Sequence, residues 1–349
     1  MRKTNVICTI GPSCENEYTL RKMATAGMNC VRINLLNGDR KSQQRSVNLI
    51  KSVRSSLRLP LGIMLDIRGP ECRIGTFQKK KLAIRTGDTV VLTTSQPVVS
   101  EKTVFVSDKN LPLEVAKGDV LFLGNSGCTL RVCEPRKREI VCQAATAGTL
   151  TENKSVYLPG RCFNRPFLSD RDREDIVWGV RNRVDMIAVP SVSKREEIEE
   201  LREFLDRSGG KEIRLIAKLR NRSGIENVEE ICKVADGIMV SRAELGTELR
   251  NVEVAPVQKE LTKRVSGLGK YVVTSTELLE SMIQNDSPTL LELSDIVNAV
   301  YDGSTAVLLS AETAIGKYPV EAVRTLAEAA AFAEESIYSA ARLKGGFGV

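Results

Sequence analysis

The chain has 349 residues, 51 Lys and Arg against 44 Asp and Glu, a formal net charge of +7, and no histidine. Without an imidazole, the sequence excludes Ser-His-Asp and Cys-His nucleophile systems, histidine metal ligands and histidine pH switches. Chemistry that depends on positioning and charge, such as phosphoryl transfer, stays compatible with it. At about 150 residues per domain the length suggests about two domains, although a single α/β barrel can hold about 250 residues.

The spacing of the cysteines and the length of the apolar runs indicate the cellular compartment of the protein. The nine cysteines form no C-x-x-C pair and have irregular spacing, which indicates reduced thiols in a cytoplasmic protein. The sequence shows no signal peptide, and no segment reaches the roughly 18 apolar residues of a membrane span. Two basic clusters, 79–81 and 136–138, are interpreted as solvated loops, because aromatic residues make up only 4% of the chain. We therefore expect neither nucleic acid nor a membrane as a partner.

Short apolar runs rich in β-branched residues recur along the chain and indicate buried parallel strands. They lie at 5–10, 30–35, 61–66, 185–190, 214–219, 237–242, 271–276 and 306–311. Amphipathic stretches between most of these runs predict helices. These stretches include 15–26, 41–57, 170–182, 194–206, 228–235, 256–265 and 320–341. Ser193, followed by Glu196 and Glu197, is typical of a helix start.

Eight strands that alternate with helices predict an α/β fold, a (β/α)8 TIM barrel. Between the third strand and the next helix, about 100 residues carry short strand-like runs separated by glycine and proline turns. These runs lie at 89–93, 104–106, 120–123, 129–133 and 139–144. We predict a discontinuous barrel domain, 1–69 and 166–349, and a small β-barrel-like all-β lid domain, 70–165, inserted after the third strand. Two separate doubly wound domains are the alternative, although no G-x-G-x-x-G follows a strand.

The barrel prediction places active-site residues at or just after the carboxyl ends of the strands. The residues at these positions are Thr9, Arg32, Asn34, Asp66, Arg68, Pro190, Ser191, Lys218, Arg220, Arg242, Glu244, Thr276 and Ser310. Five of them are cations, a set that suits an anionic, phosphorylated substrate. For any single cation, a structural ion pair is the alternative interpretation.

Several motifs stand at these same positions. They are CTIGPS at 8–13, AGMNCVRINLLNGD at 26–39, LDIRGPECRIG at 65–75, VYLPG at 156–160, DGIMVSRAELG at 236–246, TSTELLESMI at 274–283 and a long block at 287–323. With these motifs the sequence resembles the pyruvate kinase family from about Lys3 to about Glu335. The resemblance implies a glycolytic phosphotransferase that converts phosphoenolpyruvate and ADP to pyruvate and ATP, with Mg²⁺ or Mn²⁺ and K⁺ as cofactors.

The resemblance also implies roles for single residues. Lys218 matches the catalytic lysine, and Thr276 matches the threonine beside the substrate carboxylate. Arg32 and Arg73 match arginines that hold the transferred phosphate.

Other matches concern the nucleotide and the monovalent cation. Thr9, Arg73 and Lys154 match positions on the nucleotide side. Asn34 and Asp66 match monovalent-cation ligands, and Glu71 matches a glutamate that accompanies dependence on potassium.

The sequence departs from the family pattern at the divalent-metal site. The family uses a glutamate two residues after the lysine and an aspartate at the sixth strand, where this chain has Arg220 and Glu244. Arginine is a permanent cation without a lone pair for a metal, so we expect a degraded site in which only Glu244 is a ligand. Further departures are Leu36, Asn37, Ala243, Pro190, Ser191, Glu277, Asn125, Ser126 and Leu290.

These departures leave three functional hypotheses open. The leading one is a weakly active or inactive subunit that supports or regulates an active pyruvate kinase chain. The alternatives are a working pyruvate kinase with a rearranged metal site and a non-catalytic sensor of a phosphorylated metabolite. The family's C-terminal domain does not follow Glu335 in this sequence, so we expect no effector control there. Pairing through barrel helices, as a homo-oligomer or with an active chain, remains compatible with the sequence.

Overall fold

The structure is a computed structural model that describes residues 2–69, 72–75, 81–96, 102–124, 127–152, 154–158, 166–246 and 249–345. The chain divides into two compact units. One comprises Met1–Arg68 and Leu168–Val349, and the other is Gly69–Phe167.

Strands and helices alternate along most of the first unit, whereas the second unit consists mainly of short strands. In chain order they are β1 (Asn5–Thr9), α1 (Glu17–Thr25), β2 (Cys30–Asn34), α2 (Arg40–Leu57), β3 (Gly62–Asp66), β4 (Cys72–Arg73), β5 (Lys81–Ile84), β6 (Thr89–Thr93), β7 (Thr103–Phe105), α3 (Leu111–Glu114), β8 (Val120–Leu123), β9 (Thr129–Pro135), β10 (Glu139–Ala144), β11 (Gly148–Thr151), β12 (Ser155–Tyr157), α4 (Asp170–Arg181), β13 (Met186–Val189), α5 (Arg195–Arg207), β14 (Arg214–Leu219), α6 (Arg222–Glu226), α7 (Val228–Val234), β15 (Gly237–Ser241), α8 (Arg242–Leu245), α9 (Asn251–Gly267), β16 (Tyr271–Ser275), α10 (Leu290–Tyr301), β17 (Ala306–Leu309), α11 (Ala311–Ala314) and α12 (Pro319–Gly345). A short 3-10 helix, Glu280–Ile283, lies between β16 and α10.

The first unit is a closed barrel of eight parallel strands, which confirms the predicted (β/α)8 fold. Its strand order is β1-β17-β16-β15-β14-β13-β3-β2, and β1 closes the ring by pairing with β17 from Asn5 opposite Ala306 onward. Each strand is an apolar run because both of its faces are covered, by side chains inside the barrel and by helices outside. Ile7, Met64, Ile216 and Val273 are among the residues that fill the interior.

Helix starts follow local capping chemistry. Ser169 and Asp172 form a reciprocal capping box at the start of α4. The start predicted at Ser193 is shifted by one residue, because Lys194 is the N-cap of α5 and the Glu197 carboxylate accepts hydrogen bonds from the backbone amides of both Ser193 and Lys194. The start predicted at Pro256 is wrong, because α9 begins at Asn251 and Pro256 lies inside it.

The second unit is built mainly of strands. A seven-stranded sheet has the order β4-β12-β8-β9-β10-β6-β7, and β5 pairs with β11 in a separate two-stranded sheet. Alternate strand residues form one buried apolar cluster that includes Leu92, Leu121, Leu130 and Ile140. Because the cluster is composed of residues of this unit, the insertion has a core of its own.

No helix among the described residues is both long and apolar enough to span a membrane.

Candidate active site

Several predicted site residues meet around one buried carboxylate at the carboxyl ends of the barrel strands. Asp66, the last residue of β3, accepts hydrogen bonds from Arg32 Nε at 2.9 Å and Arg32 Nη2 at 2.6 Å. Arg32 Nη1 donates to Thr9 Oγ1 at 3.0 Å. The strand β2 lies between β1 and β3, with Arg32 opposite Thr9 and Asn34 opposite Asp66, so the sheet register itself brings these residues together.

The same carboxylate also holds the lysine on β14. Lys218 Nζ lies 3.2 and 3.3 Å from the two Asp66 oxygens. It also lies 3.5 Å from Oε1 of Glu244, a residue of α8, the short helix that follows β15. Residues from both sides of the insertion therefore form one ion-pair network, which we call the mouth cluster: Arg32, Asp66, Lys218 and Glu244.

The protonation state of Asp66 follows from its burial and from the two cations beside it. Burial raises the pKa of this carboxyl, but the nearby Lys218 and Arg32 act in the opposite direction and leave the pKa below its usual value. Asp66 is therefore a carboxylate at neutral pH and fixes the two cations in place.

The mouth cluster contains two cations and two carboxylates. A third cation, Arg220, lies two residues after Lys218 in the sequence. Arg220 directly follows β14 and is 8% exposed. These three cations face two carboxylates, and Arg and Lys donors are the ones that best hold a phosphate group. The anionic substrate stays a prediction.

The sequence predicts a degraded divalent-metal site, with Glu244 as a ligand and Arg220 in place of a second carboxylate, and this stays a prediction. In the structure Glu244 pairs with Lys218, and Arg220 brings a fixed positive charge. Mg²⁺ requires several oxygen ligands in near-ideal octahedral geometry. Within the described ranges, no group of three or more Cys, Asp and Glu side chains is arranged to hold a metal ion.

The predicted monovalent-cation ligands are engaged with groups of the chain itself. Asn34 Oδ1 accepts a hydrogen bond from the backbone amide of Leu36 at 3.1 Å. Asp66 carries the contacts to Arg32 and Lys218. A monovalent cation at this place would have to share these oxygens, so the role of Asn34 and Asp66 as its ligands stays a prediction.

Thr276 lies in a strained turn directly after β16. Thr276 and Glu277 have φ values of +71° and +57°, a left-handed conformation that is uncommon for residues other than glycine. Arg242 holds this turn, because its guanidinium donates to the carbonyl of Thr276 at 2.8 and 3.1 Å and to that of Glu277 at 2.7 Å. The backbone amide of Ala243 donates to Thr276 Oγ1 at 3.2 Å. The predicted catalytic threonine is thus rigidly presented by its neighbours.

Two cations of the predicted phosphate-binding set have structural partners instead. Arg242 also forms an ion pair with Asp295 of α10, and Arg68 pairs with the buried Asp175 of α4 at 3.0 Å. Asp175 binds Arg40 of α2 as well. Sequence reasoning missed Asp295 and Asp175, and no local pattern marks them, since each lies on a helix far along the chain from its arginine.

The inserted unit carries the remaining predicted residues. Arg73, on β4, pairs with Ser155 of β12, and the amide of Ile74 donates to the carbonyl of Lys154 at 2.8 Å. Arg73 and Lys154 therefore lie on neighbouring segments of the same sheet. Three residues of the sequence interpretation lie outside the described residues, namely Glu71, Asn125 and Ser126.

Taken together, the closed ring of eight parallel strands and its surrounding helices define a TIM-barrel protein. The comparisons with known proteins specify the class further. Residues 1–323 match the family model "Pyruvate kinase, barrel domain".

Relatives and a solved structure agree. The pyruvate kinase of Clostridium perfringens is 35% identical over 348 residues, which cover 99% of this chain and 73% of that protein. That of Bacillus licheniformis is 37% identical over 339 residues, 97% of this chain and 58% of the relative. A crystal structure of a pyruvate kinase from Cryptosporidium parvum superimposes with a TM-score of 0.85 at 34% identity, covering 96% of this chain and 70% of the other. The chain belongs to the pyruvate kinase family.

Proposed function

We propose that this chain binds phosphoenolpyruvate through the cations of its barrel mouth, turns it over weakly or not at all, and supports or regulates an active pyruvate kinase chain as a subunit. The family generally uses Mg²⁺ or Mn²⁺ and K⁺. The observation that carries the proposal is that a buried arginine, Arg220, stands in the sequence where the family has a carboxylate. The remaining candidate ligand, Glu244, pairs with Lys218.

The cost of this replacement follows from Coulomb's law. Two unit charges about 4 Å apart interact by about 4 kcal/mol at an effective dielectric of about 20, and a divalent ion facing an arginine would meet roughly twice that repulsion. The site also loses an anionic ligand. The repulsion alone exceeds the binding free energy of about 4 kcal/mol that corresponds to a millimolar Kd.

The remaining residues are suited to holding a phosphate. Arg32 and Lys218 present guanidinium and ammonium donors from neighbouring parts of the mouth, and Asp66 fixes both of them. Phosphoryl transfer depends largely on such positioning and on charge stabilisation. Thr276 would orient the carboxylate end of the substrate, and Arg73, Thr9 and Lys154 would act toward the nucleotide.

A working enzyme with a rearranged site is the second candidate. The observation that favours it is that Arg220 is itself buried two residues after Lys218, where a fixed cation could replace part of the metal's charge. A third possibility, a sensor, predicts that phosphoenolpyruvate raises the melting temperature without turnover.

A coupled assay of pyruvate formation separates these functions. It is run with Mg²⁺ or Mn²⁺, with and without K⁺, on the wild type, on Lys218→Met and on Arg220→Glu. We expect wild-type turnover at least about 100-fold below that of a full pyruvate kinase, the usual effect of removing one electrostatic stabiliser of the transition state. Full turnover that disappears in Lys218→Met would instead establish the working enzyme.

Two further measurements test the metal and the partner. Calorimetry should show that Arg220→Glu binds divalent metal more tightly than the wild type does, because this variant restores a carboxylate ligand. Arg220→Gln should have an intermediate affinity, because it only removes the repulsion. Purification from the native source should recover a second pyruvate kinase polypeptide with this chain. A chain that is always recovered alone would count heavily against the subunit role.

A further inference from the structure

A second concave site lies on the outside of the barrel, between α1 and the segment that starts α12. The cavity has a volume of about 800 Å³, within the range of about 300–1,000 Å³ that is usual for small-molecule sites. We call it the α1–α12 groove and define it by Tyr18, Arg21, Lys22, Lys317, Glu321 and Arg324. None of these residues belongs to the mouth cluster.

The walls of the groove carry an excess of positive charge. Arg21 and Lys22 come from α1, Lys317 from the loop before α12, and Arg324 from α12. Among the described residues of the lining, Glu321 is the only acidic one. Pro319, the first residue of α12, also lines the groove, so the positive end of a long helix opens onto it.

The cations of the groove are poorly neutralised by the protein. Arg21 has one ion-pair partner, Glu17, at 3.6 Å, in an exposed pair. Throughout the described residues, Lys317 and Arg324 have no carboxylate within 4.0 Å of their charged nitrogens. Like charges facing one cavity repel each other, so an anion with two or more charges would relieve this repulsion.

An aromatic ring stands at the side of the groove. Tyr18 is 69% exposed, and Lys22 Nζ lies 4.3 Å from the centre of its ring. The lysine covers one face of the ring, and the exposed remainder offers a surface for stacking of a flat ligand.

We propose that the α1–α12 groove binds a small phosphate ester that carries at least two negative charges and a planar ring. The phosphate oxygens bind Lys317 and Arg324, with Arg21 on the opposite wall, and the ring stacks on Tyr18. Hydroxyl groups of Ser13 and Thr19, which also line the groove, supply further donors. This site is independent of the function proposed for the barrel mouth.

Titration calorimetry with inorganic pyrophosphate and with phenyl phosphate tests the proposal in low-salt buffer. Pyrophosphate probes the charges alone, and phenyl phosphate adds the ring. We expect Lys317→Glu/Arg324→Glu to weaken pyrophosphate binding at least about tenfold, because hydrogen bonds to charged groups are lost and repulsion is introduced. Tyr18→Ala should weaken phenyl phosphate binding at least about fivefold and leave pyrophosphate unchanged.

Matched variants separate the groove from other sites. Lys263→Glu makes one such charge reversal, half the charge change of the groove double variant, on an exposed part of α9 and should leave both affinities unchanged. Lys218→Met removes a cation of the barrel mouth and should also leave the groove unchanged. The proposal is overturned if the groove double variant binds pyrophosphate as the wild type does, or if Lys218→Met abolishes all pyrophosphate binding. If Tyr18→Ala binds phenyl phosphate as tightly as the wild type does, the stacking of a planar ring on Tyr18 is refuted.

Discussion

Replacing Asp66 with asparagine removes the carboxylate that Arg32 and Lys218 share. The side chains of Asp66, Lys218 and Arg32 are 3%, 8% and 12% exposed, so the two cations would remain in a poorly hydrated site. Breaking a buried ion pair by removing one partner costs about 3–5 kcal/mol. Glu244 still lies 3.5 Å from Lys218 in this variant, so mainly Arg32 loses its carboxylate partner. We therefore expect Asp66→Asn to lower the free energy of unfolding by about 3 kcal/mol.

Urea unfolding measures this loss directly. The single tryptophan, Trp178 on α4, belongs to the barrel unit, so its fluorescence reports the unfolding of that unit. The control is Glu203→Gln, which removes the acid of the surface pair Arg207–Glu203, with side chains 78% and 67% exposed. We expect Glu203→Gln to lower the free energy of unfolding by less than about 1 kcal/mol. A loss below about 1 kcal/mol for Asp66→Asn would refute the conclusion that this carboxylate organises the mouth.

The pH dependence supplies a second test of the same carboxylate. The pKa of Asp66 lies below its usual value in the folded protein, so the stability it contributes is present above the unfolded pKa, about 3.9. That contribution is lost as the pH falls through the lower folded pKa. The difference in the free energy of unfolding between the wild type and Asp66→Asn should therefore be constant near neutral pH and shrink below about pH 4.

Two other buried ion-pair residues, Asp175 and Arg242, are also expected to stabilise the folded protein. Asp175→Asn leaves Arg68 and Arg40 without their shared carboxylate and should lower the free energy of unfolding by about 3–5 kcal/mol in the same fluorescence assay; a loss below about 1 kcal/mol would contradict this. Arg242→Gln removes the donors that hold the strained Thr276–Glu277 turn, so it should cost about 2–4 kcal/mol and make this turn susceptible to limited proteolysis, whereas Arg242→Lys should recover part of the loss. Equal protease resistance of wild type and Arg242→Gln would argue against the clamp.

Apolar runs were sufficient to predict the strands of the barrel. The barrel strands are buried on both sides, so their sequences are mainly apolar, with polar residues such as Arg32, Asp66 and Lys218 near their carboxyl ends. In the inserted unit, the runs 89–93, 120–123 and 139–144 were confirmed as β6, β8 and β10. The strands β4, β5, β11 and β12 were missed, since they are short and partly exposed and carry little hydrophobic signal.

Helix boundaries were predicted less well where tertiary context decided them. The amphipathic stretch 256–265 predicted a start at Pro256, whereas α9 begins five residues earlier, at Asn251. The observed start is set by a capping interaction between Arg250 and Glu253, whose carboxylate accepts the Arg250 amide at 2.9 Å. Such an interaction satisfies a free amide at the helix end and outweighs the local preference of a single residue.

The candidate site was predictable in its residue types but not in its pairings. The rule that barrel sites lie at strand ends identified Arg32, Asp66 and Lys218. It also selected Arg68 and Arg242, whose carboxylate partners lie on helices and are separated from them by 107 and 53 residues. Which of several cations faces a ligand and which faces a carboxylate depends on contacts between distant segments, and a single sequence carries no signal for these.

The pairing of β1 with β17 has a consequence for synthesis of the chain. Asn5 lies opposite Ala306, so about 300 residues must leave the ribosome before the first strand gains its second neighbour. At about 5–20 residues per second this takes about 15–60 s. During that time one edge of β1 is exposed, while the inserted unit, with its own apolar core, can already fold. The nascent barrel is thus open to wrong strand pairing or to chaperone binding until its last strand emerges.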